Sequence, residues 1–246
     1  MKELLSGNEA LARGALEAGI EIACGYPGTP SSEILENVAK YKEIYSEWSV
    51  NEKVAMDAAA GAAYSGRRSM VTTKQVGMNV LSDSLFYTAY TGAEAALVVI
   101  TADDPGLFSS QNEQDSRMVA RAAMVPVVEP SDSEEARVFT KRAYELSEKY
   151  DTPVILRSTT RLSHSQGIVN LEERQEIEDK PYERNVAKNV MMPGNAIKRH
   201  IFVEERLKRM AEDACTLDIN KVEYNDTKIG VITSGIVYQY VKEVLP

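Results

Sequence analysis

The stretch Gly25-Tyr26-Pro27-Gly28-Thr29-Pro30-Ser31-Ser32-Glu33 decides the fold. Ahead of it lies a short apolar run, Gly19-Ile20-Glu21-Ile22-Ala23-Cys24, which reads as a buried strand. Behind it, Ile34, Leu35 and Val38 recur at helical spacing. Gly25, Pro27, Gly28 and Pro30 cannot continue either element, so the chain turns sharply between them. Thr29 or Ser31 can cap the helix, and Pro30 suits its first turn. Such a turn lies at the carboxyl end of a parallel strand and offers free N–H groups at a positive helix terminus. Ligands of open α/β sheets collect at that edge. A plain connecting loop with good turn chemistry would read the same, so the stretch speaks to fold before function.

The pattern repeats along the chain. Ser6 and Glu9 form a capping box for a helix from about Gly7 to Ala18. After the opening turn, a helix runs to about Lys40, and Ile44 to Trp48 reads as a second strand. Asn51 caps an alanine-rich helix from Glu52 to about Tyr64, with Glu52 in the first turn, where the helix dipole favours an anion. Ser69–Thr73 is a third strand, and Lys74-Gln75-Val76-Gly77-Met78-Asn79 a second glycine-bearing turn before a helix to about Tyr90. Ala95–Thr101 is continuously apolar, as a central parallel strand is. It opens into a long polar loop from Asp103 to Arg117, and loops of that length in compact domains carry function or lack order.

Val125–Pro130 is a short strand, Ser131 and Glu134 a further capping box for a helix to Tyr150, and Pro153–Arg157 another strand. Thr159–Ser165 reads as a polar loop holding His164. Residues 169–226 form a charged linker followed by a helix from Asn195 to about Thr216, with Ile197, Ile201, Leu207, Met210 and Ala214 along one face. Residues 227–246 read as the strand, turn and helix that open a following α/β domain, interrupted at Pro246. The order βαβαβα with apolar strands predicts a doubly wound parallel sheet with helices on both faces over residues 1–168.

The 246 residues carry a formal net charge of −9, which disfavours nucleic acid as a partner because phosphate contacts need a basic face. Neither a long apolar leader nor a membrane-length apolar run occurs, and Cys24 and Cys215 lack metal spacing, so a cytoplasmic setting is expected. Gly61 to Arg68 has P-loop glycine spacing, but arginines replace the lysine and the hydroxyl residue. G-x-G-x-x-G, C-x-x-C and G-x-S-x-G are absent.

Five segments taken together resemble one family: the opening stretch, Asn51-Glu52-Lys53-Val54-Ala55, Lys74 to Val80, Ala102-Asp103-Asp104-Pro105, and Ser109-Ser110-Gln111-Asn112-Glu113-Gln114-Asp115-Ser116-Arg117. They are similar to the N-terminal part of indolepyruvate:ferredoxin oxidoreductase α subunits, among the thiamine-diphosphate-dependent 2-oxoacid:ferredoxin oxidoreductases. The resemblance covers about Ser6 to Ser165. Gln75 stands where the family often has histidine.

The resemblance implies a pyrimidine-binding (PYR) domain that holds the aminopyrimidine half of thiamine diphosphate. It gives Glu52 the role of catalytic carboxyl against the ring. It assigns Gly28, Val76, Gly77 and Asn79 to cofactor binding, and Thr29 to the substrate carboxylate. Mg²⁺ with the diphosphate, and the iron–sulfur clusters, are expected on parts outside this chain, since no G-D-G and no cysteine cluster occurs. The implied partners are a pyrophosphate-binding domain and a β subunit, with ferredoxin and coenzyme A for the whole enzyme. The implied reaction is oxidative decarboxylation of an aryl 2-oxoacid to an acyl-CoA. A homodimer is expected, and the chain alone is expected to be inactive. Two rival readings are the PYR half of a non-oxidative thiamine-diphosphate decarboxylase and a non-catalytic assembly module.

Overall fold

The structure, a computed structural model, describes residues 1–246 apart from 179, 225–227 and 246. The chain runs through β1 (Lys2–Ser6), α1 (Gly7–Glu17), β2 (Ile22–Gly25), α2 (Ser32–Val38), β3 (Tyr45–Trp48), α3 (Glu52–Tyr64), β4 (Ser69–Lys74) and α4 (Gln75–Thr91). It continues with β5 (Leu97–Asp103), α5 (Ser116–Ala123), β6 (Val127–Val128), α6 (Ser133–Tyr150), β7 (Val154–Thr159), α7 (Thr160–His164) and β8 (Gln166–Asn170). Three helices follow: α8 (Val186–Asn189), α9 (Pro193–Ala214) and α10 (Val237–Val244).

Among the described residues six strands pair in parallel in the order β3-β2-β4-β5-β7-β6. Period-two alternation splits the core between the two faces. Ala23, Met70, Val98, Ile100, Val154 and Leu156 meet α1, α2 and α6. Cys24, Val71, Leu97, Val99 and Ile155 meet α3, α4 and α5. This is the doubly wound sheet that the sequence predicts. Cys24 is buried on it, and burial, with Glu47 adding, pushes its thiol up to about 11.

The strand order reverses between β2 and β4. From β2 the chain leaves by α2 for the edge strand β3, and from β4 it leaves by α4 for β5 on the other side. Those two helices lie on opposite faces. In doubly wound sheets ligands bind at the carboxyl edge beside such a switch point, and the connections that follow β2, β3, β4 and β5 start from that edge.

Several elements differ from expectation. β1 and β8 pair antiparallel, Lys2 opposite Asn170 and Ser6 opposite Gln166, where the sequence suggests no strand. Both are short and largely exposed, so they lack an apolar signature, and position 168 falls inside β8. Thr160–His164 is a helical turn capped by Thr159, not a loop. The α6 cap is Asp132, whose side chain accepts from Glu135 N–H, while the Glu135 carboxylate accepts from Ser131. The box is therefore shifted by one residue. Lys228–Thr233 forms no strand among its described residues, because no neighbouring strand lies alongside to pair with it. The expected boundary at 226/227 lies outside the described residues.

The buried face of α9 also differs. Ile197 and Ile201 are exposed, while Val203 and Arg206 are buried. Arg206 donates to Asp151 O and to Ala89 O, both at 2.9 Å, at the carboxyl ends of α6 and α4. Two negative helix ends hold the cation, and although burial pushes the guanidinium down to about 10 it stays charged at neutral pH.

α1 packs closely on α6 through Gly14, where a Cβ would lie 2.5 Å from Arg137 O and 2.8 Å from Thr140 Cβ. Beside that contact the buried Glu17 pairs with Arg137 at 2.5 Å and accepts the Glu172 N–H at 2.8 Å, tying the chain beyond β8 to the body. Gly14→Ala should therefore cost about 1–3 kcal/mol by overpacking, although alanine is the better helix former. Denaturant unfolding checks this, and an unchanged midpoint would contradict the packing.

Candidate functional site

Glu52 begins α3, four residues after β3 ends at Trp48. Asn51 sets the helix start, its side chain accepting from Val54 N–H at 2.9 Å. From there α3 crosses back over β2 and β4 and lies beside α4. This brings the Glu52 carboxyl over the first turn of α4. A Cβ on Gly77 would lie 2.5 Å from Glu52 Oε1 and 2.3 Å from Thr73 Oγ1. Glycine at 77 is thus the condition for the carboxyl to sit there. Glu52 is only half-buried and makes no side-chain hydrogen bond or ion pair among the described residues.

The second glycine stretch is not a turn. β4 passes directly into α4 at Gln75, so Val76, Gly77 and Asn79 belong to the helix's first turns, and Lys74 stands at its N-cap without a side-chain cap. Val76 is half-buried, Gly77 buried and Asn79 exposed.

The opening stretch also differs in its capping. α2 starts at Ser32 and has no side-chain cap from Ser31; Ser31 Oγ instead donates to Gly28 O at 2.7 Å, and Ser32 Oγ accepts the Gly28 N–H at 2.8 Å. The serines close the turn on itself, and Pro30 precedes the helix rather than entering its first turn. Gly28 rests on the aliphatic stem of Lys74, with a Cβ at that position 3.1 Å from Lys74 Cβ. Thr29 is exposed beside it and receives, at its carbonyl, the Ser109 hydroxyl at 3.4 Å. Glu52 with Gly77, and Gly28 with Thr29, are therefore two groupings at one edge, joined through Lys74 and the start of α4.

The long loop after β5 closes over this edge in an ordered form. Asp104, 1% exposed, accepts from Ser109 N–H at 2.8 Å, Ser110 Oγ at 2.6 Å and Thr160 Oγ1 at 2.7 Å. Burial opposes its charge, but the hydrogen bonds from Ser110, Ser109 and Thr160 and the charge of Lys74 outweigh it and hold the carboxyl at about 2. Lys74 donates to Ser109 O at 2.7 Å, and Gln75 Nε2 to Ser110 Oγ at 3.0 Å. Beyond, an ion-pair chain runs from the buried Asp103 through Arg157 (2.6 Å) to Glu129 (2.5 Å), and on to Arg117 and Asp115. None of these ties was read from the sequence. The long polar loop was the signal available, but its partners lie on α4, β7 and α7.

A cavity of about 1060 Å³ opens beyond the loop, with Phe108, Arg117, Arg161, His164, Ile236 and Tyr240 in its wall. Glu52 and Gly77 do not line it. Among the described residues no group of three or more His, Cys, Asp or Glu side chains could hold a metal ion, and no helix is long and apolar enough to cross a membrane.

Two outcomes follow from this geometry. Gly77→Ala should destabilise the fold by about 1–3 kcal/mol through its clash with Glu52 and Thr73, and Glu52→Ala should relieve part of that cost in the double variant. Strict additivity in a double-mutant cycle would show that the two residues do not meet. The Asp104 carboxyl, held below its unfolded value, contributes stability that is present above about pH 4 and is lost as pH falls through about 2. Asp104→Asn should remove that part of the acid dependence, read as a flatter stability curve over the same window.

The comparisons agree with this architecture. The family model described as "Pyruvate flavodoxin/ferredoxin oxidoreductase, thiamine diP-bdg" matches residues 13–229. The chain is 44% identical to indolepyruvate oxidoreductase subunit IorA of Archaeoglobus fulgidus and 47% identical to that of Methanothermobacter marburgensis. The alignments cover 99% and 98% of this chain but 41% and 40% of those proteins, so it spans about two fifths of their length. It is 30% identical to 2-oxoglutarate synthase subunit KorA of Methanothermobacter thermautotrophicus over 70% of this chain and 48% of that protein. The solved structure of a 2-oxoglutarate:ferredoxin oxidoreductase from Magnetococcus marinus shares the fold, with a TM-score of 0.74 over 99% of this chain and 51% of that one at 17% identity. The chain therefore belongs to the thiamine-diphosphate-binding family of the pyruvate flavodoxin/ferredoxin oxidoreductases.

Proposed function

We propose that this chain is the pyrimidine-binding part of an indolepyruvate-type 2-oxoacid:ferredoxin oxidoreductase, a larger enzyme that converts an aryl 2-oxoacid to its acyl-CoA with reduction of ferredoxin. The observation that carries the reading is the Glu52 carboxyl, unpartnered and held over Gly77 at the switch point of the sheet. The helix dipole alone would favour an anion at this position, but it gives no reason for the glycine at 77 that makes room for the carboxyl. A cofactor ring that needs a proton moved at one nitrogen gives one.

The residues fit the aminopyrimidine half of thiamine diphosphate. When bound, that cofactor supplies the carbanion chemistry of decarboxylation. This chain's part is narrower. Glu52 holds and returns one proton at the ring nitrogen. Gly77 keeps the space for that carboxyl, Val76 and Asn79 would help hold the ring, and Gly28 would let the opening turn approach it. Thr29 stands at the exposed rim to meet the substrate carboxylate. The diphosphate, its Mg²⁺ and the iron–sulfur clusters belong to a pyrophosphate-binding domain and partner subunits; among the described residues no group of three or more His, Cys, Asp or Glu side chains could hold a metal ion. A cytoplasmic homodimer of the pyrimidine-binding part completes the reading.

Glu52→Gln in the complete enzyme should lower turnover by roughly 10²–10⁴-fold, the usual worth of a positioned proton-transfer group. The amide preserves shape and cannot exchange the proton. Steady-state rates near wild type, with the cofactor assembled, would overturn the assignment.

A further inference from the structure

Lys74 is the last residue of β4 and sits at the switch point with only 7% of its surface exposed. Its stem passes under Gly28, and its ammonium reaches the loop after β5. There it meets two neutral oxygens, Ser109 O at 2.7 Å and Ser109 Oγ at 3.4 Å. Among the described residues no carboxylate oxygen lies within 4.0 Å of it. Asp104 feels its charge but spends its oxygens on Ser109, Ser110 and Thr160.

Other cations at this end of the sheet have carboxylate partners. Lys53 pairs with Asp83, Arg157 with Asp103 and Glu129, and Arg117 with Asp115 and Glu129. Burying an ammionium without an anion is costly, and a neutral donor would tie Ser109 O as well. An ammonium has three donors, and the two that Ser109 can take leave one. Beside it, Gln75 Oε1 is buried and has no hydrogen-bond partner. A cation whose anion, Asp104, acts on it only from beyond ion-pair distance and an acceptor without a donor thus stand side by side where β4 passes into α4.

We propose that Lys74 is a specificity-determining residue that supplies the positive charge for the carboxylate of the 2-oxoacid. The inference rests on the reading of the site given above. It adds a charged contact beneath Thr29, whose own hydroxyl is neutral. One N–H of Lys74 donates to the carboxylate while another keeps the loop closed through Ser109. The carboxylate keeps its charge until the bond that frees carbon dioxide breaks. An ion pair to it therefore holds the bound substrate and the state leading to cleavage alike, without lowering the chemical barrier. Its loss should appear in KM and leave kcat nearly alone.

The test uses the complete enzyme with its partner subunits, the aryl 2-oxoacid as substrate, and its neutral 2-oxoamide as competitive inhibitor. Turnover of the wild-type enzyme is measured first, and its absence would refute the functional reading rather than this inference. Lys74→Gln keeps a neutral donor for Ser109 O, and Lys74→Met removes both donor and charge. Both variants should raise KM by roughly 10–10²-fold, the usual worth of a charge-assisted hydrogen bond, with kcat within about 3-fold of wild type on the same scale. Affinity for the amide should not change in Lys74→Gln. A wild-type KM in Lys74→Gln, or equal weakening of acid and amide, would reduce Lys74 to a tether for the loop and overturn the proposal. If Lys74→Met fails to fold, Lys74→Gln alone decides.

Discussion

The structure depends on the reversal of strand order between β2 and β4. A parallel sheet already sends every strand's carboxyl end to one edge. The reversal then sends the chains leaving β2 and β4 to opposite faces, the arrangement that leaves a ligand site at the edge in doubly wound sheets. What enters that site is controlled by backbone proximity. Gly28 lies on the stem of Lys74, and Gly77 lies under the carboxyl of Glu52. A side chain at either position would push one of these charged groups aside.

Order in the long polar loop has a separate cause. Its backbone cannot be satisfied by a sheet or helix, and it lies where water competes for every donor. Buried acids replace that support. Asp104 takes three donors at the root of the loop, and Asp103 starts the ion-pair chain through Arg157 to Glu129 and Arg117. These carboxylates are buried with their lone pairs met, the condition under which a buried charge specifies one arrangement. The loop can then hold Ser109 and Ser110 against Lys74 and Gln75 and give the carboxyl edge a fixed far wall. The cavity on the loop's other side is thereby separated from Glu52 and Gly77, neither of which lines it.

The C-terminal third of the described chain follows a different logic. α9 is held by the ends of α4 and α6, with Arg206 accepted by carbonyls that those helices leave unpaired. Its aliphatic residues Ile197 and Ile201 face outward. A buried arginine in an apolar setting is the reverse of what amphipathic periodicity anticipates, and only the position of two helix ends explains it.

The sequence by itself determined the sheet class, the strand cores, the capping of α1 and α3, and the five segments that carry the family resemblance. These are local properties: apolar period, turn residues, and hydroxyl or amide oxygens three residues before the N–H groups that donate to them. The sequence also placed Glu52, Gly28, Thr29, Val76, Gly77 and Asn79 near the carboxyl ends of three strands. It did not show that Glu52 meets Gly77, that Gly28 rests on Lys74, or that residues 74–79 are helical from the outset. β1 and β8 escaped notice because neither has a buried stripe, and each exists only because the other lies beside it, about 160 residues away in the chain. Whether Lys74 is paired, and by what, was decided by the tertiary structure alone. Charge balance in a folded protein is set by contacts between distant segments, and neighbours in sequence carry no record of it.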